Sequence, residues 1–219
     1  MSIAEEISKI KSELPQGISL VAVSKFHPAE EIMQAYDAGQ RLFGESRPQE
    51  FEAKCKSLPS DIKWHFIGHL QTNKLKMVLP YAWMIESVDS VHLLEEICKW
   101  SRANALRPKI LLEMHLGAEE TKHGMTEDEI RLVCADRSWS EWVEICGLMG
   151  MATNTDDESI IRSDFSRIAA LKDDIAASLS SDSSFKELSI GMSGDYKIAI
   201  EYGATIVRIG TLIFGPREY

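Results

Sequence analysis

Apolar residues along this chain of 219 residues fall into two alternating rhythms. Short runs that are almost unbroken in apolar character alternate with longer stretches in which apolar residues recur every three or four positions. The chain opens in the second rhythm: Ile3, Ile7, Ile10 and Leu14 predict a helix over 2–13. Ser19-Leu-Val-Ala-Val-Ser-Lys25 then reads as a strand. A strand apolar on successive residues has to bury both faces, as in a parallel sheet covered by helices. Pro28 is placed to open the next helix, 28–38, and Gly39 to close it.

The same unit recurs down the chain. Strands are predicted at 41–44, 63–68, 81–85, 109–116, 143–150, 188–191 and 205–210. Helices are predicted near 46–57, 71–79, 90–103, 127–135, 157–179 and 194–202. In the longest, Ile161, Phe165, Ile168, Leu171 and Ile175 share one face. Thr126 and Ser193 are placed as N-caps of the helices that follow them. Strict alternation of strand and helix argues for a parallel sheet with helical crossovers. Eight such units in this length favour an α/β fold of the closed (β/α)8 TIM-type barrel over an open doubly wound sheet. An open sheet would carry a glycine-rich nucleotide fingerprint after its first strand, and neither GxGxxG nor a P-loop is present. The polar segment Ser178–Ser184 reads as an exposed connection, so residues 1–219 are expected to form one domain.

Charge narrows the range of partners. The formal net charge is −10, with no run of Lys and Arg, so neither nucleic acid nor an anionic membrane is an expected partner. No apolar stretch is long enough to span a bilayer, and Glu5 and Glu6 stand where a secretory leader carries bases. Cys55, Cys98, Cys134 and Cys146 are widely spaced with no CxxC pair, which suggests reduced structural thiols and a cytoplasmic protein.

In a barrel of this kind, chemistry sits where strands end and the following loops begin. Lys25 ends the first strand, where desolvation favours the neutral amine that Schiff-base chemistry needs; a lysine snorkelling to the rim is the alternative. Gly191-Met-Ser-Gly194 and Gly210-Thr211 follow the last two strands, the usual place of a phosphate site in phosphate-binding barrels. Together with Lys25 across the mouth, they point to a phosphate-bearing aldehyde. Arg208 shares a strand face with Ile206 and Gly210; spacing alone leaves open whether that face is the lumen or the outer surface. His65, His69, His115 and His123 match no established zinc spacing and are read as structural or rim residues, with no metal expected. Trp64 and Trp83 are read as packing residues in strands.

The same segments carry a resemblance over nearly the whole chain. Val21-Ala-Val-Ser-Lys25, Phe43-Gly-Glu-Ser46, Trp64-His-Phe-Ile-Gly-His-Leu-Gln-Thr-Asn-Lys74, Glu119-Glu-Thr-Lys-His-Gly124, Leu188-Ser-Ile-Gly-Met-Ser193 and Val207-Arg-Ile-Gly-Thr-Leu-Ile-Phe-Gly215 resemble the pyridoxal phosphate homeostasis proteins. The resemblance implies a barrel like the N-terminal domain of alanine racemase, with pyridoxal 5'-phosphate held as an internal aldimine on Lys25. It implies a phosphate site at Ser193, Gly194, Gly210 and Thr211, with Met192 among the cofactor-binding residues and Arg208 facing the pyridine nitrogen. It also places Ser46 beside the cofactor, where the family usually has asparagine.

Two functional classes follow: a carrier that buffers and delivers the cofactor to apo-enzymes, or an amino-acid racemase. Racemisation needs two positioned bases, and in alanine racemases the second comes from another domain. The chain stops at Tyr219, just after its last strand. The carrier is therefore the expected reading, as a monomer with no catalytic residue assigned. Lys122 is a candidate for relaying the aldehyde, or else a solvated loop lysine.

Overall fold

The computed structural model describes residues 2–117, 123–180 and 183–216. The first helix, α1 (Ile3–Glu13), begins at Ser2, whose hydroxyl accepts from the Glu5 N–H while the Glu5 carboxylate accepts from the Ser2 N–H. It buries Ile7 and Ile10. Eight strands follow: β1 (Ser19–Val23), β2 (Leu42–Glu45), β3 (Lys63–Phe66), β4 (Met84–Val88), β5 (Lys109–Met114), β6 (Glu144–Gly150), β7 (Glu187–Ser189) and β8 (Ile206–Ile209). All pair in parallel, in chain order, and β8 closes onto β1. The connecting helices are α2 (Ala29–Asp37), α3 (Pro48–Ser57), α4 (Leu75–Val78), α5 (Val91–Asn104), α6 (Glu127–Ala135), α7 (Glu158–Ser178) and α8 (Tyr196–Glu201). The last strand also has its helix, α9 (Thr211–Phe214), which the sequence pattern did not predict. The structure is thus the closed (β/α)8 barrel that the alternation implied.

The side-chain alternation of the strands builds two layers. Residues such as Ala22, Phe43, Phe66, Leu112 and Val207 point outward and pack under the helices. Val21, Met84, Leu111, Cys146, Met149 and Ile206 form a separate apolar plug inside the barrel. Two residues further along the same strands, the inward positions turn polar: Glu86 follows Met84, Glu113 follows Leu111 and Arg208 follows Ile206. The plug forms a dry floor, and the polar layer lies between it and the C-terminal mouth.

Several boundaries differ from expectation. The fourth strand was expected at 81–85 and runs instead over Met84–Val88. The N–H groups of Tyr81 and Ala82 still bond to the Val78 carbonyl, which finishes the preceding helical turn. Trp83, expected to pack within the strand, is 42% exposed between the ammonium groups of Lys63 and Lys109. The shift moves Glu86 from a strand end to a buried position within the strand. Ser193 is not a helix cap: α8 begins at Tyr196 with Asp195 in the cap position. The four cysteines are unpaired, and burial pushes the Cys55, Cys134 and Cys146 thiols up to about 12, which makes them poor nucleophiles. Among the described residues, no helix is long and apolar enough to cross a membrane.

Candidate functional site

Closure of β8 onto β1 makes β7, β8, β1 and β2 one continuous arc of the rim. All the residues singled out from the sequence on these four strands lie along it. The register pairs Val21 with Arg208 and Ala22 with Ile209, so Val23 stands beside Gly210. A Cβ at Gly210 would lie 3.1 Å from the Val23 carbonyl oxygen, and glycine is what lets the two turns approach. Lys25 and the Gly210 turn are therefore neighbours on the rim, not residues facing each other across the mouth as expected.

Lys25 is half-buried just past β1. A Cβ at the facing Gly44 would meet both Val21 and Val23, so both valines point inward. The Ser24 N–H extends the ladder to the Gly44 carbonyl at 3.0 Å, and the alternation carries Lys25 to the lumen side. The next residue, Phe26, has φ 71°, a left-handed conformation that a side chain makes costly.

A buried polar cluster holds this turn. The Lys54 ammonium donates to the Ser24 carbonyl at 2.9 Å, to Glu45 Oε1 at 2.7 Å and to Glu50 Oε1 at 2.7 Å. The Ser24 hydroxyl donates to Glu45 Oε1 at 2.6 Å, and the Phe26 N–H donates to Glu50 Oε1 at 2.9 Å. The Arg47 guanidinium covers the Phe26 ring at 4.1 Å. Both residues flanking Lys25 are thus tied to one ammonium and its two carboxylates. Burial pushes the Glu45 carboxyl up, against the pull of Lys54. Ser46 is half-buried after β2, and its carbonyl lies so close to Gly68 that a Cβ there would come within 2.1 Å of the oxygen.

The turns after β7 and β8 lead into two short helices, α8 and α9, neither with a side-chain cap. At α8 the first N–H, that of Tyr196, is already taken by the Met192 carbonyl at 2.9 Å, so it is the start of α9 that leaves N–H groups for solvent or an anion. Ser193, Gly194 and Thr211 lie in these turns, and a Cβ at Gly194 would meet nothing within 4 Å. Met192 sits differently: its N–H is taken by Asp195 Oδ1 at 2.6 Å, and its side chain is exposed. The Asp195 carboxyl is itself pushed up by burial. Phe214 of α9 stacks on His27, at 4.8 Å between ring centroids, which ties this turn to the one carrying Lys25.

Arg208 lies in the lumen and is buried, which resolves the two alternatives left by its spacing. Nη1 donates to the Ser189 carbonyl at 2.7 Å and hydroxyl at 2.6 Å, and Nη2 donates to the Gly150 carbonyl at 3.0 Å. Glu86 Oε2 stands 3.7 Å from Nη1 and accepts from the Ser189 hydroxyl. Its Oε1 meets His65 Nδ1 at 2.5 Å. Burial pushes the Glu86 carboxyl up, but His65, Arg208 and Ser189 outweigh it and hold the group below the usual carboxylate range. His65 Nε2 is buried with no hydrogen-bond partner. Glu113 behaves in the opposite way: burial, then the charges of Asp89 and Glu86, push it up to about 7 against the pull of Arg208.

Sequence reasoning missed Glu45, Glu50 and Lys54, and also Glu86 and Glu113 as lumen acids. Single charges inside otherwise apolar strands, at Glu45 and Glu113, were the available signal. Lys122 lies outside the described residues.

Comparison with known proteins agrees with this geometry. Residues 1–218 match the family model described as the alanine racemase N-terminal domain. A pyridoxal phosphate homeostasis protein from Aquifex aeolicus (strain VF5) is 36% identical over 99% of this chain and 96% of its own length. One from Homo sapiens is 40% identical over 91% of this chain and 77% of its own length. Among solved structures, PipY of Synechococcus elongatus PCC7942 without pyridoxal phosphate superposes with a TM-score of 0.92 at 35% identity, over 98% of this chain and 100% of that one. PipY with pyridoxal phosphate bound gives 0.88 at 34%, with the same coverage. Alanine racemase from Bartonella henselae shares the fold at 14% identity, with a TM-score of 0.77 over 98% of this chain and 58% of that one. The chain belongs to the family of pyridoxal phosphate homeostasis proteins, which is built on the alanine racemase N-terminal barrel.

Proposed function

We propose that this protein binds pyridoxal 5'-phosphate on Lys25 and holds it for release and delivery, as part of intracellular cofactor homeostasis. The observation that carries this reading is the arc itself: an inward lysine, the uncapped start of α9 and a buried guanidinium on adjacent strands. When bound, the cofactor supplies an aldehyde that condenses with a primary amine.

The residues fit such a ligand. Lys25 provides the amine at the mouth, above the polar layer. The first turn of α9, with the hydroxyls of Thr211 and Ser193 and the open backbone of Gly194, offers donors to a phosphate. The unpartnered His65 Nε2 shows that the polar layer has hydrogen-bonding capacity left for a ligand or an ordered water. Met192 and Ser46 border the same arc, and the Ser46 hydroxyl reaches less far than the family's amide. Arg208, pinned by Ser189 and Gly150, does not give up a proton. Arg208 would donate a hydrogen bond to a pyridine nitrogen without protonating it, which would favour carrying over carbanion chemistry. Recipients would be apo-enzymes that use the cofactor, and the protein would act as a monomer.

Borohydride reduction of the loaded protein, followed by peptide mapping, tests the linkage. The label is expected on Lys25 and is expected to be absent in Lys25→Ala. Transfer of the cofactor to an apo-enzyme supports delivery. Conversion of L-alanine to its D-isomer at enzyme-like rates would replace the carrier by a racemase.

A further inference from the structure

The remaining arc of the rim, at the ends of β3, β4 and β5, carries a different group of side chains. His69 follows β3, Asp89 follows β4, and His123 lies in the connection after β5, next to the bridge between Met114 and Met125. One ligand-type atom from each lies within 4.8 Å of the other two. These residues are far apart in sequence, and only barrel closure makes them neighbours.

We propose that His69, Asp89 and His123 form a binding site for a divalent transition-metal ion of the zinc class. Asp89 is the fixed member: its side chain is 7% exposed, and Oδ1 accepts from the Ser90 hydroxyl at 3.2 Å. Its Oδ2 meets His69 Nδ1 at 2.8 Å. His123 Nδ1 stands 3.8 Å from the same oxygen, too far for a hydrogen bond. The two imidazole rings are stacked 4.1 Å apart and only 15° from parallel. Hydrogen bonding therefore accounts for His69, whereas among the described residues His123 is held beside Asp89 by its stack on His69 and its 3.8 Å approach to the carboxylate. Two imidazolium rings at this spacing would repel each other. Two neutral rings sharing a cation with the carboxylate would not.

The donor set selects the ion. Two imidazole nitrogens and one carboxylate oxygen suit Zn²⁺, Co²⁺ or Ni²⁺, whereas Mg²⁺ and Ca²⁺ take oxygen donors. Three protein ligands leave a fourth position for water or another small ligand. Zinc bonds of about 2.0–2.2 Å put neighbouring donors roughly 3.3 Å apart. The widest pair must therefore close by up to about 1.5 Å while the His69–Asp89 pair opens by about 0.5 Å, and the two imidazoles, 46% and 59% exposed, have room to turn.

The site is independent of the cofactor site, and the test keeps them separate. Chelator-stripped, cofactor-free protein is titrated with Zn²⁺ by calorimetry and with Co²⁺ by visible absorption. One equivalent of each is expected to bind. His69→Ala, His123→Ala and Asp89→Asn should each weaken binding at least about tenfold, the lower end of what loss of an outer-shell partner costs. His92→Ala, at an exposed position on α5, should leave it unchanged. The exposed histidine variants should unfold as cooperatively as the parent, so lost binding reports lost ligands. Lys25→Ala should still bind the ion, which separates failure of this site from failure of the cofactor site. Absence of binding, or unchanged affinity in the His69→Ala/His123→Ala double variant, would overturn the proposal.

Discussion

Replacing Lys54 by methionine removes one charge from under the Lys25 turn and keeps most of the side-chain volume. Lys54 is buried, and its ammonium makes three hydrogen bonds, two of them to carboxylates. Glu45 is fully buried and has one oxygen, Oε2, with no partner even in the intact cluster. Methionine matches the aliphatic stem, so the packing loss should stay below about 1.5 kcal/mol. Removing one member of a buried ion pair costs about 3–5 kcal/mol, because the other charge is left uncompensated. Lys54→Met should therefore lose roughly 3–5 kcal/mol near neutral pH. The loss should shrink in acid, where Glu45 escapes by taking up a proton, and burial already inclines it that way.

Glu45→Gln/Lys54→Met, which removes both charges, should recover most of the stability. Urea unfolding of the parent, the two single variants and the double variant closes the cycle. A coupling of at least about 2 kcal/mol is expected. The turn should report the change too: with the Ser24 carbonyl released and Glu50 no longer anchored beneath Phe26, borohydride trapping of pyridoxal phosphate at Lys25 should slow. A loss below about 1 kcal/mol for Lys54→Met with no coupling to Glu45 would refute the reasoning, since the cluster would then be a solvated surface group.

Three further outcomes are expected. Glu113 is pushed up to about 7, so its burial cost is absent at low pH, where it is protonated in both states, and grows as pH rises from the unfolded carboxylate range through 7; in chelator-stripped protein, Glu113→Gln should remove that pH dependence and gain about 2–3 kcal/mol on the parent between about pH 5 and pH 8.5 in urea unfolding. Gly68→Ala would set a Cβ 2.1 Å from the Ser46 carbonyl oxygen, and the forced backbone shift should cost about 1–3 kcal/mol in thermal or urea unfolding. Ser46→Asn should slow cofactor release several-fold, the effect of one added hydrogen bond of about 1 kcal/mol, measured by transfer to an apo-enzyme trap; unchanged release would place Ser46 outside the site.

The sequence by itself determined the barrel and one arc of its rim. Runs such as Leu20-Val-Ala-Val23 bury both faces only in a parallel sheet, and their regular spacing with helical stretches leaves few topologies. Lys25, Gly194 and Gly210 could be singled out because a lysine ending an apolar strand and glycines following one are local exceptions to a local pattern. Other features were decided by tertiary structure alone. Closure of β8 onto β1 made Lys25 and Gly210 neighbours although most of the chain separates them. Lys54, Glu45 and Glu50 read in sequence as ordinary charged positions; they become one buried cluster only when α3 packs behind the turn after β1. The three-residue displacement of β4 turned Glu86 from a rim acid into an interior one, and His69, Asp89 and His123 met only when three strand ends converged. The physical reason is the same in each case. Side-chain periodicity encodes which face of an element is dry, whereas the environment of a charge depends on neighbours supplied by distant segments, and no local pattern records those.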